Sequence, residues 1–353
     1  MFLPVVSYYF VKSIRILLQY GILGYRDAVF GSPDEPSILF GSSYVELIYN
    51  IFVSPVIFLS LIVSIVIFVC YSEKRVLVLP LLMMVMEAIM RLGRFSFYYV
   101  VVFLATAFLL VLQRSKSGDG AGRWYRQSIQ KVQVIIVAAI FLMITLVAAL
   151  SMVREDSYIN VSKTISRFAV GYHTTGFVLF DSELNSRKSR LNTNISYGRS
   201  ILGGLEAIGV MFLRRVDPKA RSIVQEGGDY KHDFQIVGYD ENGFPILHNA
   251  FYTVLYSLYF DGRDLFIAII PFLFGYAVSA LYADWMRRGR IGSLMLLVHL
   301  MYLGWFSLFY SPVEDHKFWM VLIALLLVNA LQGSEKEGEL ASGVPYPTDV
   351  VPG

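Results

Sequence analysis

The sequence predicts an all-α protein, a polytopic transmembrane helix bundle with one long polar insert, and three observations lead to this prediction. Hydrophobic residues make up 56% of the 353 residues and charged residues only 16%, with a mean hydropathy of +0.57. This is too little charge to cover the surface of a soluble domain of that size. Apolar runs long enough to cross a bilayer recur along the chain. One polar stretch, residues 153–264, separates two groups of these runs.

The chain divides into four segments on this basis. Residues 1–152 hold the N-terminal transmembrane helices, 153–264 the insert and 265–332 the C-terminal transmembrane helices. Residues 333–353, rich in Glu, Gly, Ser and Pro, are predicted to be a disordered tail. The predicted spans are 51–71, 76–92, 95–113, 132–152, 265–283, 292–310 and 317–332.

The first helical pattern differs from these spans. Residues 3–25 place Lys12, Arg15 and Gln19 on one helix face. Because two cations disfavour burial in lipid, we expect this helix to lie in the membrane interface or to turn that face toward a polar interior.

Basic loops predict the orientation of the bundle. The loops at 73–75, 114–131 and 287–290 carry an excess of Lys and Arg, and they fall on one side if each run crosses once. The positive-inside rule makes that side cytoplasmic, together with the tail. The insert then lies outside, with the turns at 91–94 and 311–317, and in a bacterial inner membrane this side is the periplasm.

The insert is divided in charge. Between residues 187 and 221 eight basic residues stand against two acidic ones, and between 226 and 264 seven acidic residues stand against Lys231 and Arg263. A basic half suits an anionic ligand such as phosphate. An acidic half can supply a proton acceptor or bind hydroxyl groups.

Two parts of the insert suggest chemistry. The apolar run 200–213 is too short to span a membrane, so we expect an interfacial or re-entrant helix. Glu206 lies in the middle of it, and a carboxylate in apolar surroundings is either a general acid or base or a partnered structural group. Residues 249–260 are rich in aromatic rings, which suit a membrane interface or stacking on sugars.

Arginines at the outer end of the second span form another candidate group. Glu87 and Arg91 are four residues apart on a helix, which predicts a structural ion pair. Arg94 follows Gly93 at a predicted helix break. We expect it to face the same ligand as the basic half of the insert.

Several short motifs together resemble the Wzy family of oligosaccharide repeat-unit polymerases. These are Gly93-Arg94 at a span boundary, Gly198-Arg199 before an apolar segment, and Asn249-x-x-Tyr252-Thr253 followed by Tyr259-x-Asp261-Gly262, with a further Gly275 in the next span. Arg187-x10-Gly198 also matches an Arg-x10-Gly pattern of some polymerases. The resemblance covers about residues 20–331, and the N-terminal part is shorter than usual for the family by several spans.

The resemblance implies that undecaprenyl-diphosphate-linked repeat units are joined at the periplasmic face, giving O-antigen or capsular polysaccharide. It also implies a flippase and a chain-length regulator as partners, besides the lipid-linked oligosaccharide and membrane lipid. Such a reaction needs a base near the acceptor hydroxyl and positive charge at the departing diphosphate. Because arginines can supply that charge, neither a metal ion nor another cofactor is expected, and nothing in the sequence indicates nucleic-acid binding.

These requirements give hypothetical roles to nine residues. Asp261 or Glu206 is the catalytic base. The residues expected to bind substrate are Arg94, Arg187, Arg190, Arg199, Asn249, Tyr252 and Arg263.

Three other functions fit parts of the sequence. An O-antigen ligase would use the same lipid donor with similar spans and a large outer loop. A membrane acyltransferase would use His299, within a span, as its catalytic residue. A transporter or flippase of lipid-linked oligosaccharide would also bind diphosphate through arginines, but such proteins usually show internal duplication, which this sequence lacks.

Overall fold

The computed structural model describes residues 2–30, 37–93, 95–116, 172–187, 189–214, 216–217, 219–223, 234–239, 243, 245–249, 253–308 and 310–342. Most of them are helical. The helices are α1 Leu3–Phe30, α2 Ser43–Ile48, α3 Ser54–Tyr71, α4 Arg75–Met90, α5 Phe95–Lys116, α6 Tyr172–Asn185, α7 Arg190–Thr193, α8 Gly203–Leu213, α9 Val254–Arg288, α10 Ile291–Phe306 and α11 His316–Ser342. Two strands, β1 Phe234–Tyr239 and β2 Pro245–Asn249, lie in the insert.

Membrane-length helices are present, as predicted. Within the described residues, three helical stretches are long and apolar enough to cross a membrane, namely Tyr44–Tyr71, Ser96–Lys116 and Val254–Arg288. In the first, a π-helical turn at Tyr49–Val53 joins α2 to α3. α10 and the part of α11 up to Gln332 are apolar but shorter. The predicted span at 132–152 lies outside the described residues.

Helix α3 is the centre of the bundle. It packs against α4, α5, α10 and α11. Because it is apolar on nearly every face, it can be buried all round rather than along one stripe. Ring contacts tie it to its neighbours: the Phe58 ring centroid lies 5.1 Å from that of Phe103 on α5 and 5.4 Å from that of Tyr302 on α10.

The N-terminal helix α1 lies against α4. It is kinked at Gly21, whose φ of 67° is readily adopted only without a side chain. Arg15 and Gln19 are exposed and Lys12 is half-buried. The polar face therefore does not enter the bundle interior, which favours the interfacial alternative of the two expected from the sequence.

Basic residues gather at one end of the bundle, which we call the basic end. Arg114 near the end of α5 lies 4.6 Å over the Trp285 ring of α9. Asp284 is 3.5 Å from Arg288 and 3.8 Å from Arg290. The basic residues at the end of α5 and after α9, whose charges contributed to the predicted orientation, are thus on a common side.

One element boundary lies close to the prediction and another differs from it. α9 begins at Val254 and runs to Arg288, and its helical conformation is interrupted at Gly262 and Arg263, next to the domain boundary predicted at 264. Residues 264–288 of α9 carry exposed apolar side chains such as Leu265, Phe272 and Tyr276. α11 continues through Ser342, so the first part of the predicted disordered tail is helical. Residues 343–353 lie outside the described part.

The insert has its own small core and one β-hairpin. Leu179 and Phe180 of α6 and Leu191 of α7 pack against Tyr256 of α9. Strands β1 and β2 pair antiparallel with an irregularity between Ile236 and Gly238. This hairpin is an exception to the predicted all-α class. The rest of the described chain remains helical or without regular structure.

Candidate active site

The candidate site is built around a break in α9, where this helix meets the insert. Gly262 (φ −158°, ψ 23°) and Arg263 (φ 55°, ψ −148°) leave the helical conformation. A positive φ is strained for a residue that carries a side chain. The hydrogen bonds made by its own guanidinium group help to hold Arg263 in this conformation.

Arg263 binds the insert through backbone oxygens. Its guanidinium group donates to the carbonyl oxygen of Leu191, to that of Asn192 at 3.1 Å and to that of Asn194 at 2.8 Å. It also lies 5.0 Å from the centre of the Tyr259 ring. The guanidinium group predicted to bind substrate therefore satisfies carbonyl oxygens around the end of α7.

Asp261 makes the matching contacts from the other side of the break. The residue is 1% exposed, and its carboxylate accepts hydrogen bonds from the Ser196 hydroxyl, the Ser200 N–H at 2.9 Å and the Ile201 N–H at 2.7 Å. The Phe260 carbonyl accepts the Ser196 N–H at 2.9 Å. Charge-assisted hydrogen bonds of this kind are strong. Together with Arg263, Asp261 braces residues 191–201 against α9.

Arg199 and Glu206, which were expected to act on different parts of the substrate, are paired with each other. Nε and Nη2 of Arg199 donate to Oε1 of Glu206 at 3.0 and 2.6 Å. Oε2 of Glu206 accepts the Ile223 N–H at 3.1 Å. Of the two alternatives expected for Glu206, the structure shows a partnered carboxylate, because a turn before α8 brings Arg199 back alongside the first turn of the helix.

Helix α8 packs against the bundle through a close backbone approach. A side-chain carbon at Gly204 would lie 2.7 Å from the Asp315 backbone and 2.7 Å from Trp319. Only glycine allows this contact. The helix therefore holds Glu206 beside the start of α11, and we call this side of the bundle the insert end.

A second polar group lies at the insert end. Arg91 Nε is 3.2 Å from Glu87 Oε1, which confirms the ion pair predicted from their spacing. Glu87 also accepts the Ser54 hydroxyl at 2.5 Å, and Arg91 donates to the Asn50 side-chain oxygen at 2.5 Å. His316 Nε2 is 2.8 Å from the Asn50 backbone oxygen. The end of α4 and the start of α11 thus meet at the π-helical turn.

Asp315 is the acidic centre of this second group. Its carboxylate is 3.5 Å from both His316 Nδ1 and Lys317 Nζ. Burial alone would raise the pKa of Asp315, but the charges of Lys317, His316 and Arg91 and the Lys317 N–H outweigh it and hold that pKa below its ordinary value. The Tyr310 hydroxyl nearby contacts those of Tyr302 and Tyr99.

The other predicted site residues are less completely described. Arg187 is exposed in the loop after α6, and Arg190 begins α7. Asn249 ends β2, where it is paired with Phe234. For Arg190 and Asn249 only the backbone is described, and Arg94 and Tyr252 lie outside the described residues.

His299 has no exposed surface. Its Nε2 is 3.1 Å from the Phe318 backbone oxygen, and its ring stacks on Phe318 with centroids 4.7 Å apart. A ring enclosed in this way offers no access to an acyl donor. The structure therefore gives no support to the acyltransferase alternative.

The polar group at the insert end also contains residues that were not predicted from the sequence, namely Asn50, Asp315, His316 and Lys317. The charged run Asp315-His316-Lys317 stands directly before an apolar span, a pattern that predicts only a connecting turn. Nothing in the sequence marks Asn50 as part of a polar group, because it adjoins an apolar run. It joins the group only in the fold, where Arg91 at the end of α4 and His316 at the start of α11 contact it.

Among the described residues, no group of three or more His, Cys, Asp or Glu side chains could hold a metal ion. No protein-family model matches the chain, and comparisons with curated proteins and with solved structures give no match either.

Proposed function

We propose that this chain is an oligosaccharide repeat-unit polymerase. It uses an undecaprenyl-diphosphate-linked donor and elongates O-antigen or capsular polysaccharide at the periplasmic face of a bacterial inner membrane. The motif resemblance around Asn249–Gly275 suggests this reaction. The fold also supports the proposal. The reaction requires polar groups gathered at one membrane face, and polar groups of the insert gather at one end of the helix bundle.

One observation carries the proposal: an arginine and a carboxylate of the insert sit together at the bundle end opposite the basic end. Gly204 packs against Asp315, which places the Arg199–Glu206 pair at the insert end. Arg114 and Arg288 lie at the basic end. With the basic end in the cytoplasm by the positive-inside rule, the insert pair faces the periplasm, where lipid-linked repeat units would be joined.

The proposed reaction is a glycosyl transfer. The acceptor sugar hydroxyl attacks the anomeric carbon of the donor and forms a new C–O bond. The C–O bond to the lipid diphosphate breaks, and its electron pair stays on the phosphate oxygen. The hydroxyl proton passes to a carboxylate. Arginine side chains stabilise the charge of the departing diphosphate.

Of the two carboxylates, we assign the base role to Glu206 and a bracing role to Asp261. Asp261 is almost fully enclosed, with three donors on its two oxygens. The Glu206 side chain is 23% exposed and the Arg199 side chain 45% exposed, so a substrate can reach both. We assign Arg199 and the exposed Arg187 to diphosphate binding, with Arg94 and Arg190 as further members of the group. Asn249 and Tyr252 would position sugar.

The experiment uses a strain that depends on this chain for its O-antigen, with lipopolysaccharide read on a gel. Arg199→Gln and Glu206→Gln should each abolish the long-chain ladder and leave lipopolysaccharide with a single repeat unit. Asp181→Asn removes one negative charge from an exposed position on α6 and should keep the ladder. Immunoblots of membranes establish equal amounts of each variant.

Two outcomes would contradict the proposal. An undiminished ladder in Arg199→Gln or Glu206→Gln would remove that residue from the mechanism. Loss of even the single repeat unit in a deletion strain would indicate the ligase alternative. Purified protein that lengthens lipid-linked units without an ion gradient would exclude a flippase.

A further inference from the structure

Both carboxylate oxygens of Glu206 accept hydrogen bonds, one of them from Arg199. Nε and Nη2 of Arg199 share one oxygen of Glu206, and the other oxygen is held by the Ile223 N–H. We propose that a diphosphate group displaces Glu206 from Arg199, so that the carboxylate becomes a proton acceptor only when the leaving group is bound. This inference rests on the proposed function.

The pair is placed where such an exchange is possible. Both side chains are partly exposed, at 45% for Arg199 and 23% for Glu206. Ion pairs that water can reach contribute little net stability, because the two groups are also well solvated apart. A diphosphate carries more charge than a carboxylate, and its oxygens match the planar fork of a guanidinium group. It is therefore a stronger partner for Arg199 than Glu206 is.

The backbone around Arg199 does not depend on Glu206. The Arg199 N–H donates to the Ser196 carbonyl at 3.1 Å. The next two N–H groups, those of Ser200 and Ile201, are held by the buried Asp261 carboxylate. Arg199 can therefore change partner while its main chain stays in place. Asp261 acts here as a positioning residue for Arg199.

Glu206 is held near the arginine after the exchange by the packing of α8. The Gly204 contact with Asp315 fixes the first turn of the helix, so only the Glu206 side chain has to turn away. Without the adjacent cation, a carboxylate binds a proton more readily. The proton of the attacking hydroxyl then passes to Glu206 as the bond between the anomeric carbon and the diphosphate breaks.

The test measures binding of inorganic pyrophosphate to the full-length protein in detergent by isothermal titration calorimetry. Glu206→Gln should bind about tenfold more tightly than the unaltered chain, since Arg199 loses a competing charge. Arg199→Gln should weaken binding about tenfold or more. Asp181→Asn is the matched control, because it removes the same charge from the insert without touching an arginine pair, and it should bind as the unaltered chain does.

The double variant Arg199→Gln/Glu206→Gln decides between competition and a general charge effect. It should bind no more tightly than Arg199→Gln alone. Equal tightening by Glu206→Gln with and without Arg199, or no tightening at all, would overturn the inference. Farnesyl diphosphate in a parallel titration separates the two sources of the anion: tighter binding than pyrophosphate indicates a lipid-linked ligand, and equal binding indicates free diphosphate.

The binding assay and the ladder assay fail independently. If the pyrophosphate pattern holds and the ladder is unaffected, the exchange stands and the polymerase proposal is wrong. If the ladder requires both residues but Glu206→Gln binds pyrophosphate as the unaltered chain does, the polymerase proposal stands and the exchange is wrong. Thermal unfolding of each variant identifies any that fails to fold.

Discussion

At the scale of single residues, pairing could be predicted only where helix geometry fixes it. Glu87 and Arg91 are four apart within a helix, so their ion pair followed from the sequence. Arg199 and Glu206 are seven apart, and Arg199 lies within the turn at 197–202 that precedes α8. Their contact depends on the shape of that turn. The turn is itself held by the Asp261 carboxylate, 61 residues after Ser200. The sequence therefore indicated both residues as candidates without showing that they are partners.

The bracing role of Asp261 predicts a stability effect. Asp261→Asn replaces one acceptor oxygen by an NH2 group, which cannot accept the hydrogen bond that the Ser200 or Ile201 N–H donates to that position. We expect the free energy of unfolding in detergent to fall by about 1–3 kcal/mol. Asp264→Asn, an exposed position just after the break, should change it by less than about 0.5 kcal/mol. Equal stability of the two variants in thermal unfolding would show that Asp261 is not a brace.

At the scale of elements, the positions of the three membrane-length helices followed from hydropathy, whereas two features of the insert did not. The β-hairpin has Asn242-Gly243 between its strands, a dipeptide typical of tight hairpin turns, but the charge and helix patterns of the insert do not by themselves predict strands. The close packing of α8 on the bundle depends on Gly204, and a glycine within an apolar run does not indicate which residue it will contact.

A glycine pair on α8 tests this packing. A methyl group at Gly204 meets Asp315 and Trp319, so Gly204→Ala should lower the free energy of unfolding by about 1–3 kcal/mol and expose residues 190–223 to protease. Gly209 lies on the same helix, and a methyl group there would meet nothing within 4 Å. Gly209→Ala should leave stability unchanged or raise it by up to about 1 kcal/mol. A Gly204→Ala protein as stable and protease-resistant as Gly209→Ala would contradict the packing.

At the scale of the whole molecule, the charges and the fold agree on two distinct ends. The residues at the end of α5, the end of α9 and the start of α10 meet at the basic end. The ends of α4 and α10 and the start of α11 meet at the insert end. The grouping of the basic residues at this end could be predicted because successive apolar runs that each cross the membrane once run in opposite directions. The depth at which the insert contacts the bundle could not be predicted from the sequence, because it depends on side-chain packing.

The single cysteine makes the orientation testable by labelling. Cys70 is buried, and a Cys70→Ser background removes it entirely. In right-side-out membrane vesicles, a membrane-impermeant maleimide should label Tyr197→Cys in the insert but not Glu73→Cys between α3 and α4. Glu73→Cys should react only after the vesicles are permeabilised. The reverse pattern would place the basic end outside and remove the basis for a periplasmic reaction.

The break at Gly262–Arg263 also limits which fragments of this protein can be studied in isolation. A soluble fragment cut at the end of the polar sequence would keep Arg199 and Glu206, but it would sever α9 just beyond the side chains that hold residues 191–201. It would also lose the surface around Trp319 on which Gly204 rests. The excised polar region is therefore not equivalent to the intact chain, and ligand binding is to be measured on the entire protein.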